Sequence, residues 1–130
     1  MSEPIKSLSY IAPVFRVKDI SRSLGFYRDQ LGFQVDFVFE SFYAGVSRDG
    51  CHIHLKHSEP TPRDQKVFER EEHIDVSIGV CSAADLAASF AAADAPFVVP
   101  LRHMPYGSEF YVRDPDGYVL GFVQSPPIPL

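Results

Sequence analysis

FYVRDPDGYVLGFVQ, residues 110–124, reads as a β-hairpin. Its arms are aromatic and β-branched, which suits a half-buried sheet. Between them lies Asp114-Pro115-Asp116-Gly117, where Pro115 presets φ for the first central turn position and Gly117 can take the positive φ that closes the turn. A fainter copy lies upstream. Asp49-Gly50-Cys51-His52-Ile53-His54-Leu55 can be laid on Asp116-Gly117-Tyr118-Val119-Leu120-Gly121-Phe122, with Asp-Gly on Asp-Gly and Leu55 on Phe122. A hairpin that occurs twice in one chain invites a search for a repeated module.

The rest of the chain supplies that module. Residues 10–17 (YIAPVFRV) read as a strand that Pro13 pushes to a sheet edge or a bulge. Asp19 offers an N-cap, and Ile20, Leu24, Tyr27 and Leu31 recur on one face of a helix that Gly32 stops. Residues 33–40, 42–48 and 51–56 follow as strands. After residues 57–72, read as a linker with a short helical turn near Phe68 and a solvated charge run at Glu69-Arg70-Glu71-Glu72, the pattern restarts. Residues 74–80 are a strand, Ser82 is an N-cap with Asp85 three positions on, and Leu86, Phe90 and the alanines make a helix that Ala95-Pro96 ends. Residues 97–100 form a short strand and 102–108 a loop before the final hairpin. Val80 lies 63 positions after Val17, and so do Ser82 after Asp19 and Phe90 after Tyr27, while Gly117 lies 67 after Gly50. A loop four residues longer in the second copy accounts for the change. The fold class is α+β, with two βαβββ modules in one domain spanning 1–130: module one about 8–56, linker about 57–72, module two about 73–125.

The composition bounds the function. With 130 residues, 45% hydrophobic and 22% charged, the chain can bury a core and does not resemble a disordered one. A net charge of −5 disfavours nucleic acid as a partner. Cys51 and Cys81 form no C-x-x-C pair and flank strands, where cysteine is most often a small core residue. No apolar run reaches the length of a membrane span, and the opening MSEPIKSLSY lacks signal-peptide character, so a cytoplasmic location is expected. Nucleophile elbows and glycine-rich phosphate loops are missing from the sequence.

The motifs Val17-Lys18-Asp19-Ile20, Phe26-Tyr27, Leu31-Gly32-Phe33, the restart at 74–80 and Asp114-Pro115-Asp116-Gly117 resemble the vicinal oxygen chelate superfamily, also called the glyoxalase/bleomycin resistance/dioxygenase family. The resemblance covers nearly all of 10–124. It implies curved mixed sheets forming a cup, usually built between two chains of a homodimer. It also implies four ligand positions, one on the first and one on the last strand of each module, which fall here on Ala12, His54, Asp75 and Gly121. Ala12 and Gly121 carry no donor, whereas the family's metal enzymes have a glutamate at the Gly121 position. A catalytic metal commonly takes three or more protein ligands. Strand alternation does place His52 beside His54 and His73 beside Asp75, so a histidine–carboxylate ring remains an alternative to partly buried polar residues in the cup wall.

The expected function is therefore that of the metal-free bleomycin resistance-like members: binding a bulky cationic or aromatic small molecule, such as an antibiotic, with no catalytic residue and no cofactor. The alternative is a metal-dependent lyase, isomerase or dioxygenase with a divalent ion on His54 and Asp75. The candidate ligand-binding residues are His52, His54, Asp75, Tyr43, Phe39, Tyr106, Tyr111 and Gly121; the last is expected to leave room where a metal ligand would project. His57 and His103, read as loop residues, receive no role. Expected partners are a second copy of the chain and the ligand, with neither nucleic acid nor membrane.

Overall fold

The computed structural model of the protein describes residues 7–59 and 73–126. Module one runs β1 (Val14–Val17), α1 (Ile20–Gly25) continued by a π-helical turn (Phe26–Gln30), β2 (Gln34–Phe39), β3 (Tyr43–Arg48) and β4 (Cys51–His57). Module two runs β5 (Val76–Gly79), α2 (Ala83–Ala92), β6 (Phe97–Met104), β7 (Gly107–Arg113) and β8 (Val119–Gln124). The sheets have orders β1-β4-β3-β2 and β5-β8-β7-β6. In each, the first strand pairs parallel to the last and the other neighbours are antiparallel. This is the doubled βαβββ architecture of two open mixed sheets. The helical turn near Phe68 and the charge run lie outside the described residues.

Local chemistry explains most boundaries. The Asp19 carboxylate accepts from Arg22 N–H and the Ser82 hydroxyl from Asp85 N–H, each satisfying an amide that the first helical turn leaves open. Gly32 takes φ 74° after the π-helical turn. The single expected helix over Ile20–Leu31 instead switches to i→i+5 bonding, with Leu31 N–H donating to Phe26 O, and this turn buries the adjacent rings of Phe26 and Tyr27. Helix α2 stops at Ala92, before Ala95-Pro96, because Asp94 adopts the left-handed φ of 59° and Ala95 N–H donates to Phe90 O.

The expected loop over 102–108 is corrected. Strand β6 continues to Met104 and turns tightly into β7, with Met104 opposite Gly107. His103 therefore lies on a strand, and its Nδ1 sits 2.7 Å from Ser108 Oγ; His57 likewise ends β4. The longer loop also resolves differently. Gly45 pairs with His54 and Tyr111 with Gly121, so the copies stand 66 positions apart on the third strand and 67 on the fourth. Most of the extra length sits in the β6–β7 hairpin and one residue in the β7–β8 turn.

One apolar core runs through both modules, from Phe15, Tyr27, Leu31, Val46 and Leu55 to Phe90, Phe110 and Phe122. The β7–β8 turn joins them. Tyr118 stacks on Phe15 at 4.4 Å, and buried Asp116 accepts from Lys18 N–H, Arg22 Nη2 and Ser23 Oγ. The outward faces of the sheets, opposite this core, carry the candidate site.

Candidate functional site

Alternation along β4 sends Ile53 and Leu55 into the core and His52 and His54 to the other face. There His54 becomes a hub. Its Nδ1 is 2.9 Å from Tyr43 Oη and its Nε2 is 3.5 Å from Tyr10 Oη. Phe37 meets it edge-on at 5.3 Å, in the space above Gly45, which has no side chain to compete. Tyr10 also stacks on His52 at 4.1 Å, and His52 Nδ1 lies 3.6 Å from Asp36. The structure thus brings together Tyr43, His52 and His54, and adds Tyr10, Asp36 and Phe37. The strand expected over 10–17 begins only at Val14, and Tyr10 reaches the site from the irregular segment before it. Phe39 stands at the end of β2, more than half exposed and edge-on to Phe42.

The second sheet presents a different face. Glu109, almost fully buried, forms an ion pair with Arg102 Nη2 at 2.7 Å and accepts from Tyr111 Oη at 3.2 Å. Burial pushes the Glu109 carboxyl up, but bonds from Tyr106, Arg102 and Tyr111 outweigh it and hold the carboxyl below its ordinary range. Tyr106, on the β6–β7 turn, bonds to the same carboxylate, which pushes its phenol up to about 12. Arg102 lies over the Tyr111 ring at 5.4 Å. Glu109 and Arg102 were not foreseen. The alternation of Glu109 with Tyr111 was available, but a loop reading of 102–108 hid the partner strand.

Asp75 Oδ2 accepts from Val119 N–H at 2.8 Å. The room expected at Gly121 is occupied: a Cβ there would lie 2.8 Å from Ile74 Cδ1 and 3.2 Å from the Tyr111 ring. Cys51 and Cys81 are both exposed, which corrects their assignment as small core residues.

Ala12 and Gly121 offer no donor, the His54 nitrogens face tyrosine hydroxyls, and Asp75 holds a backbone amide. Among the described residues, no three His, Cys, Asp or Glu side chains converge so as to hold a metal ion. None of the helices among them is long and apolar enough to cross a membrane.

Two βαβββ modules with open mixed sheets define a class of protein. Residues 7–122 match the model of the Glyoxalase/Bleomycin resistance protein/Dioxygenase superfamily, and the chain belongs to that superfamily. No curated protein matches the chain. Among solved structures it is similar to a bleomycin-binding protein from bleomycin-producing Streptomyces verticillus complexed with copper(II)-bleomycin, at 27% identity and TM-score 0.71, over 95% of this chain and 100% of that one. It also resembles a glyoxalase/bleomycin resistance protein/dioxygenase from Alicyclobacillus acidocaldarius (14%, TM-score 0.75, 89% and 90% of the chains). A third likeness is TioX from Micromonospora sp. ML1 (17%, TM-score 0.71, 91% and 99%). At these lower identities the likeness is one of fold.

Proposed function

We propose that the protein is a cytoplasmic small-molecule binder, a homodimer that sequesters a bulky cationic or aromatic ligand, such as an antibiotic of the bleomycin type, without a metal and without converting it. The observation that carries this reading is the face around His54, where Tyr10, Phe37 and Tyr43 surround an imidazole whose two nitrogens already have hydroxyl neighbours. Aromatic faces favour stacked rings and cations, each contact worth ~1 kcal/mol or more when desolvated. Asp36 beside His52, and Asp75 on the second sheet, add negative charge. The likeness at 27% identity to a bleomycin-binding protein agrees with this. Two unpaired cysteines suit a reducing compartment.

Calorimetric titration with bleomycin-type glycopeptides, cationic dyes and neutral aromatics tests it. Asp75→Asn keeps an acceptor for the Val119 amide while removing the charge, so cationic ligands should weaken more than neutral ones. Equal affinity of both proteins for every cationic binder, or steady turnover of a ligand, would refute the reading. Elemental analysis of the untagged protein should find far less than one divalent ion per chain. An ion that is stoichiometric and lost on His54→Ala would instead support a metal-dependent enzyme.

A further inference from the structure

The internal repeat makes two equivalent junctions between the modules, and the described residues fill only one of them. At the filled junction the β7–β8 turn enters the elbow between β1 and α1. The Tyr118 ring lies on Phe15, with an interplanar angle of 6°, and its hydroxyl accepts from Arg16 N–H at 3.0 Å. Phe15 is buried beneath it. At the other junction the β3–β4 turn faces the elbow between β5 and α2. The repeat spacing puts Ile78 in the place of Phe15, Gly79 in that of Arg16, Phe90 in that of Tyr27, and Cys51 in that of Tyr118. A thiol replaces the phenol, and the shorter turn adds only Arg48 and Asp49 to the cleft walls among the described residues. A cleft of about 500 Å³ results, with Ile78, Val80, Leu86 and Phe90 among its walls and Cys51 and Cys81 both lining it. Ile78 is only partly buried, as an uncovered Phe15 would be.

The cleft retains the donor as well as the slot. Strand β5 is the edge of its sheet, and Val80 N–H donates to Val123 O. Alternate amides of a strand point to opposite sides, so Gly79 N–H points away from β8, as Arg16 N–H points away from β4. A Cβ on Gly79 would meet nothing within 4 Å. Asp49 and Asp85 also line the cleft and disfavour an anion, while Arg48 Nη1 is bound to Leu31 O at 2.7 Å.

We infer that this second inter-module cleft is a binding site for an uncharged phenol, whose ring rests on Ile78 and whose hydroxyl takes the Gly79 amide, in the pose that Tyr118 adopts at the first junction. The site is separate from the sheet faces around His54 and Tyr111 and does not depend on their function.

The probe is p-cresol, followed by amide NMR and by the rate at which N-ethylmaleimide alkylates Cys51 and Cys81. Saturable p-cresol binding should shift the Gly79 amide and slow alkylation of both thiols. Toluene, without the hydroxyl, should bind about tenfold more weakly. Cys51→Tyr should fill the slot from within and abolish binding, whereas Cys51→Ser should retain it. Gly79→Pro removes the donor at an edge position that tolerates proline, and should erase the preference for p-cresol over toluene while the circular dichroism stays unchanged. Three results would each overturn the proposal: no saturable shift at Gly79, shifts confined to residues around His54, or thiols already protected in the free protein because another segment or a second copy covers the cleft.

Discussion

Asp114 shows how one residue of the decisive hairpin acts beyond its turn. Its carboxylate accepts from the amides of Asp116 and Tyr118, both at 2.9 Å, and from the Tyr27 hydroxyl at 2.9 Å, and it is 4% exposed. Burial is the largest influence and pushes its pKa from 3.8 up to about 6, with Asp116 adding to the rise; the Tyr27 phenol is raised too, by burial and then by Asp114. Between these values the folded chain holds a proton that the unfolded chain has lost. The contribution of Asp114 to stability is thus full below pH 3.8 and fades as pH rises through about 6, a change of about 3 kcal/mol. Urea denaturation between pH 4 and pH 7 should show this downward component in the wild type, and Asp114→Asn should remove it. The same slope in both proteins would assign it to other groups. The turn itself was legible from Asp114-Pro115-Asp116-Gly117. That its two carboxylates would be buried against the other module was not, because turn chemistry does not say what docks on the turn.

At the scale of elements, caps and alternation were the readable signals. Asp19, Ser82 and Gly32 ended or began helices where their chemistry places them, and Ile53 and Leu55 chose the core face as a period of two requires. Strand β6 was harder. Pro100 interrupts its apolar pattern, and pairing with β7 carries it past that point through register shifts between Phe97 and Arg102. The ion pair of Arg102 with Glu109 was lost along with the strand. Close packing across β2 and β3 was equally invisible, since it depends on one glycine. A methyl group on Gly45 would run into the ring of Phe37, which stands beside His54. Gly45→Ala should therefore lower stability by about 1–3 kcal/mol and disturb the His54 environment. In a Phe37→Ala background the same substitution should cost much less, and a double-mutant cycle with no coupling would show that the ring is not the obstacle.

At the scale of the molecule, the repeat was legible because helix caps and Asp-Gly turns recur at nearly constant spacing. The face around His54 was legible only in part, because Tyr10 arrives from an irregular segment and Asp36 sits where a register shift between Val35 and Phe37 breaks the pairing of β2 with β3. That strand, β2, also bears on assembly. It lies at the edge of its sheet and all six of its residues are exposed, among them Val35, Phe37, Val38 and Phe39. Phe42 at the adjoining turn is exposed as well. An edge strand this apolar is a template for association unless something covers it, and soluble proteins rarely leave such a patch bare. A second copy related by a two-fold axis would cover it and repeat the cover on the partner. The expected outcome is a dimer by light scattering at micromolar concentration. Val38→Glu combined with Phe39→Glu places two charges in the patch, and should yield folded monomers with wild-type circular dichroism. If the ligand groove spans both chains, this variant should lose cationic and aromatic binders together, whereas p-cresol binding in the cleft between the modules should persist. A wild-type monomer, or a charged variant that still dimerises, would move the interface elsewhere.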